Sequence, residues 1–592
     1  MEKESVTIDI DVPSVMRDGT ILYADVYRPA DEAKHPVVLT RLPYGKGSGM
    51  VGGYMNPLRF VRAGYAVVIQ DIRGTGASEG EFYPRVAEMD DGYDTVEWAA
   101  VQPWSDGNVG MYGMSHLGFT QWAAAVTRPP HLKTICPMAT QAGARPFNHG
   151  ALRLNHILTW ASIFPLSELG RKKMSPEKAR SLRNRIIDYT NNINDLYWVL
   201  PLKDVPSVGI SKEMGLDPYF YADYLEHNDD RDFWKKSCSP ADYEDVDVPA
   251  LHICGWYDIL TDDVIDSYVG MKARAGSPLA RSNQKLILGP WIHTTEMQSV
   301  SGDLDFGLES SGNAADITGV HIRWFDRWLK GIDNGIMEEP RVRIFTMGEN
   351  KWRNECDWPL PNTVYTPYYF HSAGNANSRC GDGALTTLPP EEEPADAYMY
   401  NPRDPVPAKP GGPGTGVIMG AYDFQEIELR KDMLVYSTPP LINDIEVTGT
   451  VKVKLFASSS ASDTDFVGKL VDVYPDGRAY NLVDGIVRAR YRKTEWHAEL
   501  IEPGKVYEYT LELGATSNLF QAGHRIRLEI ASSSFPKWDR NPNTGHKFGQ
   551  DAEMESAAQK VFHNAVYPSH VLLPVIPERI GDQDARSKKA AD

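Results

Sequence analysis

A serine held near glycines, in Gly113-Met114-Ser115-His116-Leu117-Gly118, is the segment of this chain best suited to covalent chemistry. A serine hydroxyl is a weak nucleophile, so it needs a base, and the base needs an acid to hold it. On a sharp turn between a strand and a helix, the hydroxyl stands clear at the carboxyl edge of a sheet. The helix start also offers free backbone N–H groups to a developing oxyanion, the His116 amide first among them. The pattern is G-x-S-x-x-G rather than G-x-S-x-G. A serine between glycines is often only a turn, and it is the strand before and the helix after that favour the catalytic reading. Downstream, Gly255-Trp256-Tyr257-Asp258 and Gly289-Pro290-Trp291-Ile292-His293 each follow a short apolar run. Ser, then Asp, then His is the chain order of doubly wound hydrolases. Asp258 would orient an imidazole, and His293 would take the Ser115 proton. Taken singly, Asp258 also reads as a helix cap and His293 as a surface-loop histidine. Three such residues in this order, each past a strand, are far less expected by chance. A second oxyanion donor should come from the loop after an earlier strand. Tyr44, between Pro43 and Gly45, is the candidate, with a half-buried loop tyrosine as the alternative.

The elements that must position these residues fall into three regimes. Apolar runs at 36–40, 65–69, 109–113 and 132–136 alternate with helical patterns over Met89 to Ala100 and Leu117 to Val126. Such alternation predicts a parallel sheet covered on both faces. From about 145 to 245 no strand pattern stands out. Ser175-Pro176 reads as a helix start, Leu182, Ile186, Tyr189, Ile193 and Leu196 follow at helical steps, and Pro201 closes the segment. Strands resume at 250–254 and 286–288, and Ile317, Val320, Trp324 and Trp328 mark a helix ended by Gly331. Beyond about 350, two-residue alternation such as Val451-Lys452-Val453-Lys454-Leu455 and the Asp476-Gly477 turn signal predict a β-sandwich. The expected fold class is α/β: residues 1–145 and 246–348 form a domain around a parallel sheet, 146–245 a helical insertion in it, and 349–592 an all-β unit. The tail from Gln583 to Asp592 is polar and is expected to fray.

Composition narrows the functions. The 592 residues carry 61 Lys+Arg against 80 Asp+Glu, a net charge of −19. That field, without a basic patch, disfavours nucleic acid and anionic membrane surfaces as partners. No apolar run reaches the roughly 18 residues of a membrane span, and the start lacks a secretory pattern. The five cysteines are scattered, with no Cys-x-x-Cys pair, so a reduced, cytoplasmic setting is expected. No metal-ligand spacing stands out, and neither a metal nor an organic cofactor is required. The glycine-rich stretch Arg73 to Gly80 is not G-x-G-x-x-G and reads as a structural loop tied down by Asp71 and Arg73. Trp256 and Trp291, beside the two catalytic candidates, are expected to line a substrate pocket ahead of Trp160, although core packing is the default for any tryptophan.

These residues, with Arg41-Leu42-Pro43-Tyr44, Gln70-Asp71-Ile72-Arg73-Gly74, Gln102-Pro103-Trp104, Gly523-His524-Arg525-Ile526-Arg527-Leu528 and Phe535-Pro536, resemble the bacterial cocaine esterase and Xaa-Pro dipeptidyl-peptidase-like serine hydrolases over nearly the whole chain. The resemblance implies an α/β-hydrolase domain, an inserted helical cap and a carboxyl-terminal jelly roll. It implies Ser115, Asp258 and His293 as a triad, and the Tyr44 hydroxyl with the His116 amide as an oxyanion hole. His116 departs from the tyrosine usual after the nucleophile; the amide donor survives, and what changes is pocket shape. Amino-acid ester hydrolases of this family place carboxylates two and three residues past the catalytic aspartate, where this chain has Leu260 and Thr261. A free-amine anchor is therefore not expected, and hydrolysis of a small carboxylic ester with an uncharged, partly apolar acyl group is. The alternatives are Xaa-Pro dipeptidyl-peptidase or amide-acylase activity with the same triad and, from another class, a non-catalytic carbohydrate-binding protein. The jelly roll would close one side of the active site or support a subunit contact, leaving a homodimer open.

Overall fold

The computed structural model describes residues 5–48, 56–140, 142–143, 145–215, 220–236, 242–293, 298–409 and 418–577; the tail from Gln583 lies outside them. The apolar runs become strands of a 10-stranded sheet: β1 (Val6–Val15), β2 (Ile21–Pro29), β3 (His35–Leu42), β4 (Ala66–Asp71), β5 (Ser105–Met114), β6 (Leu132–Met138), β7 (Ala250–Gly255), β8 (Gln284–Gly289), β9 (Val342–Thr346) and β10 (Lys351–Glu355). Their spatial order is β1-β2-β4-β3-β5-β6-β7-β8-β9-β10. From β4 through β9 every pairing is parallel. β1, β2 and β10 are added by antiparallel pairing at the two edges. Every residue of β4, β7 and β8 is buried, which is why these strands read as continuous apolar runs rather than as alternation.

Helices α1 (Glu88–Ala100) and α2 (His116–Ala125) connect these strands, and α2 is buried along its whole length. The insertion between β6 and β7 contributes α3 (Leu154–Leu169) and α4 (Pro176–Asn191). The Ser175 hydroxyl caps α4 by accepting the Lys178 amide. The apolar spacing predicts a helical run to Leu196, but α4 stops at Asn191 and a separate short turn covers Ile193–Leu196. The Asn192 side chain donates to the Asp188 carbonyl and carboxylate, which satisfies groups of the last turn locally and ends the helix. Two more helices, α5 (Thr261–Arg274) and α6 (Ile317–Leu329), follow β7 and precede β9.

From Val364 to Ile576 the regular elements are strands and single 3₁₀ turns, and the long strands join one 11-stranded, mostly antiparallel sheet system. Asp476-Gly477 makes the expected reversal between Asp465–Val473 and Ala479–Arg488. At 348/349, where the boundary of the β unit is expected, the chain runs through a hairpin in which β10 pairs with β9 from Thr346↔Lys351 to Val342↔Glu355. Gly348 and Asn350, with φ of 77° and 55°, reverse the chain there. Apolar packing does not stop at this junction. Trp256, Trp358, Leu511 and Leu528 belong to one continuous core. Backbone hydrogen bonds tie Met347 to Ser517 and Leu519 at 2.9 and 2.8 Å. The β unit therefore braces the far edge of the catalytic sheet. Among the described residues no helix is long and apolar enough to cross a membrane.

Candidate active site

Ser115 lies between the end of β5 and the start of α2 with φ 59° and ψ −124°. That left-handed backbone is unfavourable for any residue with a Cβ. Its amide donates to the Met138 carbonyl of the neighbouring strand at 3.0 Å, and its carbonyl accepts the Gly118 and Phe119 amides, both at 2.9 Å. The flanking glycines are dictated by space. A Cβ on Gly113, where φ is 141°, would stand 2.5 Å from the Leu117 Cβ, and one on Gly118 would stand 2.6 Å from the Thr140 Cβ. Both glycines of G-x-S-x-x-G are thus needed, the second by an approach of Thr140 that a strict G-x-S-x-G does not describe. Gly118→Ala is expected to destabilise the protein by about 1–3 kcal/mol through overpacking. Urea unfolding should show an earlier midpoint, and an unshifted midpoint would mean that Thr140 yields freely.

The loops after β7 and β8 are stitched together. The Trp256 amide donates to the Gly289 carbonyl at 2.7 Å and the Tyr257 amide to the Trp291 carbonyl at 3.0 Å. That stitching sets Asp258 beside His293: His293 Nδ1 is 2.8 Å from Asp258 Oδ2, and His293 Nε2 is 2.9 Å from Ser115 Oγ. The other carboxylate oxygen accepts the Leu260 amide at 2.8 Å, so both oxygens are engaged and the carboxylate cannot swing. The Asp258 side chain is buried and that of His293 nearly so. The β unit reaches this point as well: Met419 sulfur lies 3.4 Å from the His293 amide, and the Ala515 amide donates to Asp262 on α5 at 2.9 Å. Ser115, Asp258 and His293, far apart in sequence, are brought into one hydrogen-bonded line.

The Tyr44 hydroxyl lies near Ser115, and burial pushes its pKa up. The Trp160 indole Nε1–H donates to the Tyr44 oxygen at 3.2 Å. An oxygen that already accepts from an indole is left to direct its own proton elsewhere. The amide of His116, first of α2, has no acceptor within its helix. The His116 side chain turns under the site. It is buried, stacks on Trp160 with centroids 6.0 Å apart, and places Nε2 3.0 Å from Glu88 Oε1. Burial pushes its pKa down, with the hydrogen bond to Glu88 opposing.

The three tryptophans expected near the substrate are held in different ways. Trp160 lines a small cavity beside Ser115, whereas Trp291 is wholly buried and donates to the Ser310 carbonyl, and Trp256 is 3% exposed and donates to the Phe345 carbonyl. Trp256 also borders the larger cavity that Asp258 lines, and both indoles tie their loops to neighbouring carbonyls. The sequence analysis missed Arg85, Glu88, Arg153 and His156. Arg85, Arg153 and His156 line the cavity beside Ser115, and Glu88 lies behind His116. They sit in the loop before α1 or within α1 and at the start of α3, with no motif to mark them. The expected loop anchors Asp71 and Arg73 do hold the glycine-rich stretch, through the Ala77 amide and through Asp18 and Asp91.

Residues 18–295 match the X-Pro dipeptidyl-peptidase (S15 family) and residues 334–572 match the X-Pro dipeptidyl-peptidase C-terminal non-catalytic domain. The chain is 40% identical to the cocaine esterase of Rhodococcus sp. over 97% of its length and 99% of that protein's. Among solved structures, an α-amino acid ester hydrolase superposes with a TM-score of 0.78 at 25% identity over 96% of both chains. An aminopeptidase from a Thaumarchaeota archaeon gives 0.79 at 25% identity over 97% of this chain and 96% of its own. The chain is therefore a serine hydrolase, a member of the family that joins cocaine esterase to the S15 X-Pro dipeptidyl-peptidases.

Proposed function

We propose that the chain hydrolyses carboxylic esters of small molecules by acyl transfer through Ser115, with His293 as base, Asp258 as its orienting acid, and the Tyr44 hydroxyl and His116 amide as oxyanion donors. The observation that carries this reading is the unbroken pair of hydrogen bonds on the two nitrogens of His293. A carboxylate only accepts, so Nδ1 holds the imidazole proton and Nε2 is free to receive one. Ser115 Oγ attacks the carbonyl carbon while Nε2 takes its proton, and negative charge gathers on the carbonyl oxygen between the two donors. The alcohol leaves with the proton from Nε2. Water then gives a proton to Nε2 and attacks the acyl-enzyme, and the acid departs as Ser115 regains its proton.

An ester is favoured over an Xaa-Pro peptide by the state of the acidic residues near Asp258. Asp262 accepts the Ala515 amide and Asp263 pairs with Arg153 at 3.5 Å, so neither is free to anchor a substrate ammonium. Fluorophosphonate labelling of Ser115, together with kcat/KM for p-nitrophenyl butyrate against Ala-Pro-p-nitroanilide, tests the proposal. Labelling with a preference for the ester is expected, and preference for the anilide would make the chain a peptidase.

Tyr44→Phe removes one oxyanion donor while keeping the ring in its stack. Its kcat is expected to fall roughly 10²–10³-fold, the range for one lost donor. A fall below threefold would take Tyr44 out of the mechanism.

A further inference from the structure

The cavity beside Ser115 carries a cation that nothing in the acyl-transfer chemistry uses. Arg85 sits in the loop before α1 with a left-handed φ of 73°, and its amide donates to Glu88 Oε1 at 2.9 Å. Its guanidinium lies against the rings of Phe119 and Trp160, at 5.1 and 5.9 Å from their centroids. Nε and Nη1 are shut off from solvent, yet neither has a hydrogen-bond partner. Aromatic faces supply some attraction to a cation, but they leave those N–H groups unsatisfied, which is costly in a closed site.

The surrounding charges do not answer it. Arg153, also on the cavity wall, has Asp263 and the Asn148 side chain as partners. Glu88 Oε1 meets His116 Nε2 and the Arg85 amide, its Oε2 is buried without a partner, and neither oxygen pairs with the Arg85 guanidinium. Burial, with Arg85, Arg153 and His293 around it, pushes the pKa of His156 well down, and its Nδ1 faces no partner. Among the described residues, the cavity therefore offers a guanidinium without a counter-ion and a neutral imidazole, in a protein of net charge −19. The cavity is small, about 30 Å³, and its walls include His116 and Trp160 but not His293. His293 delivers the proton to the departing alcohol, so a pocket on the oxyanion side takes the acyl half.

We propose that Arg85 binds an anionic group on the acyl half of the substrate, so that half-esters of short dicarboxylic acids are the preferred class. This differs from the uncharged acyl group expected from the sequence, and it rests on the acyl-transfer reading above. A carboxylate at the far end of a short chain would receive the Arg85 Nε–H and Nη1–H in the forked geometry that guanidinium and carboxylate share.

The test compares monoethyl succinate with ethyl butyrate, of similar length, by ethanol release from the full chain. Wild type should favour the half-ester by about tenfold or more in kcat/KM, and Arg85→Gln should lower that ratio by roughly 10–100-fold, the range for a charged hydrogen bond. Arg85→Lys, which keeps the charge without the fork, should recover part of it. A wild-type preference for ethyl butyrate, or a ratio that Arg85→Gln moves by less than about threefold, overturns the assignment. Fluorophosphonate labelling of Ser115 in the same samples reports folding and acyl-transfer competence separately. If labelling and ethyl butyrate turnover persist while the ratio fails, only the role of Arg85 falls; if both are lost in wild type, the parent reading falls with it.

Discussion

Ser115→Ala is expected to lower kcat for ester hydrolysis by roughly 10⁶-fold, leaving only what the oxyanion donors and binding contribute without a nucleophile. The size follows from the site. His293 Nε2 has the Ser115 hydroxyl as its hydrogen-bond partner at 2.9 Å, so the variant loses the covalent route at once rather than weakening it. Loss of fold would not be the cause. The hydroxyl makes no contact that holds the elbow, whose bonds run through the Ser115 amide and carbonyl. A companion variant separates the two effects. Ser115 is held at φ 59°, a conformation that costs a residue with a Cβ on the order of 1–3 kcal/mol. Ser115→Gly should therefore be as inactive as Ser115→Ala yet more stable than wild type, by an amount reduced by the extra freedom glycine has when unfolded. Urea unfolding and initial rates on a p-nitrophenyl ester measure both. Ser115→Ala retaining more than about a tenth of wild-type turnover would remove Ser115 as the nucleophile.

Legibility in the sequence depended on whether a residue's surroundings are local. Strands β4, β7 and β8 are readable because a strand buried on both faces is mostly apolar; Asp258 and His293 follow two of them, and Ser115 follows the buried carboxyl half of β5. The hydrolase fold and the all-β carboxyl-terminal part follow from the same periodicities. Arg85 was not readable. Its loop lies about thirty residues before Ser115, and the packing of α1 against α2, with Trp160 of α3 stacked on His116, brings its guanidinium to the cavity. The indoles of Trp256 and Trp291 donate to the Phe345 and Ser310 carbonyls, partners that the sequence does not show. The end of α4 depends on a hydrogen bond of the Asn192 side chain, and the β9–β10 hairpin on two residues of positive φ, neither of which alters hydrophobic spacing.

Asp258→Asn should cost about 10⁴-fold in kcat, as loss of the orienting acid does in other serine triads, and here the reason is visible in the carboxylate's second partner. Asp258 Oδ1 accepts the Leu260 amide at 2.8 Å while Oδ2 faces His293 Nδ1. An asparagine in the same place must keep its oxygen on the Leu260 N–H, because its NH₂ cannot accept. The NH₂ is then turned toward His293 Nδ1 and donates to it. The imidazole responds by carrying its proton on Nε2, where it points at Ser115 and cannot receive the serine proton. The variant thus keeps the shape of the site and loses the base. Two readouts distinguish this from a disturbed fold. The rate of fluorophosphonate labelling at Ser115 should fall in parallel with kcat, since both need the same proton transfer, whereas the urea midpoint should move far less than a cavity-forming substitution of the neighbouring core would move it. KM should change little, because Asp258 meets the substrate only through His293. A drop in kcat smaller than about tenfold, or labelling that stays fast while turnover is lost, would show that the carboxylate does not set the tautomer and that His293 is oriented by something else.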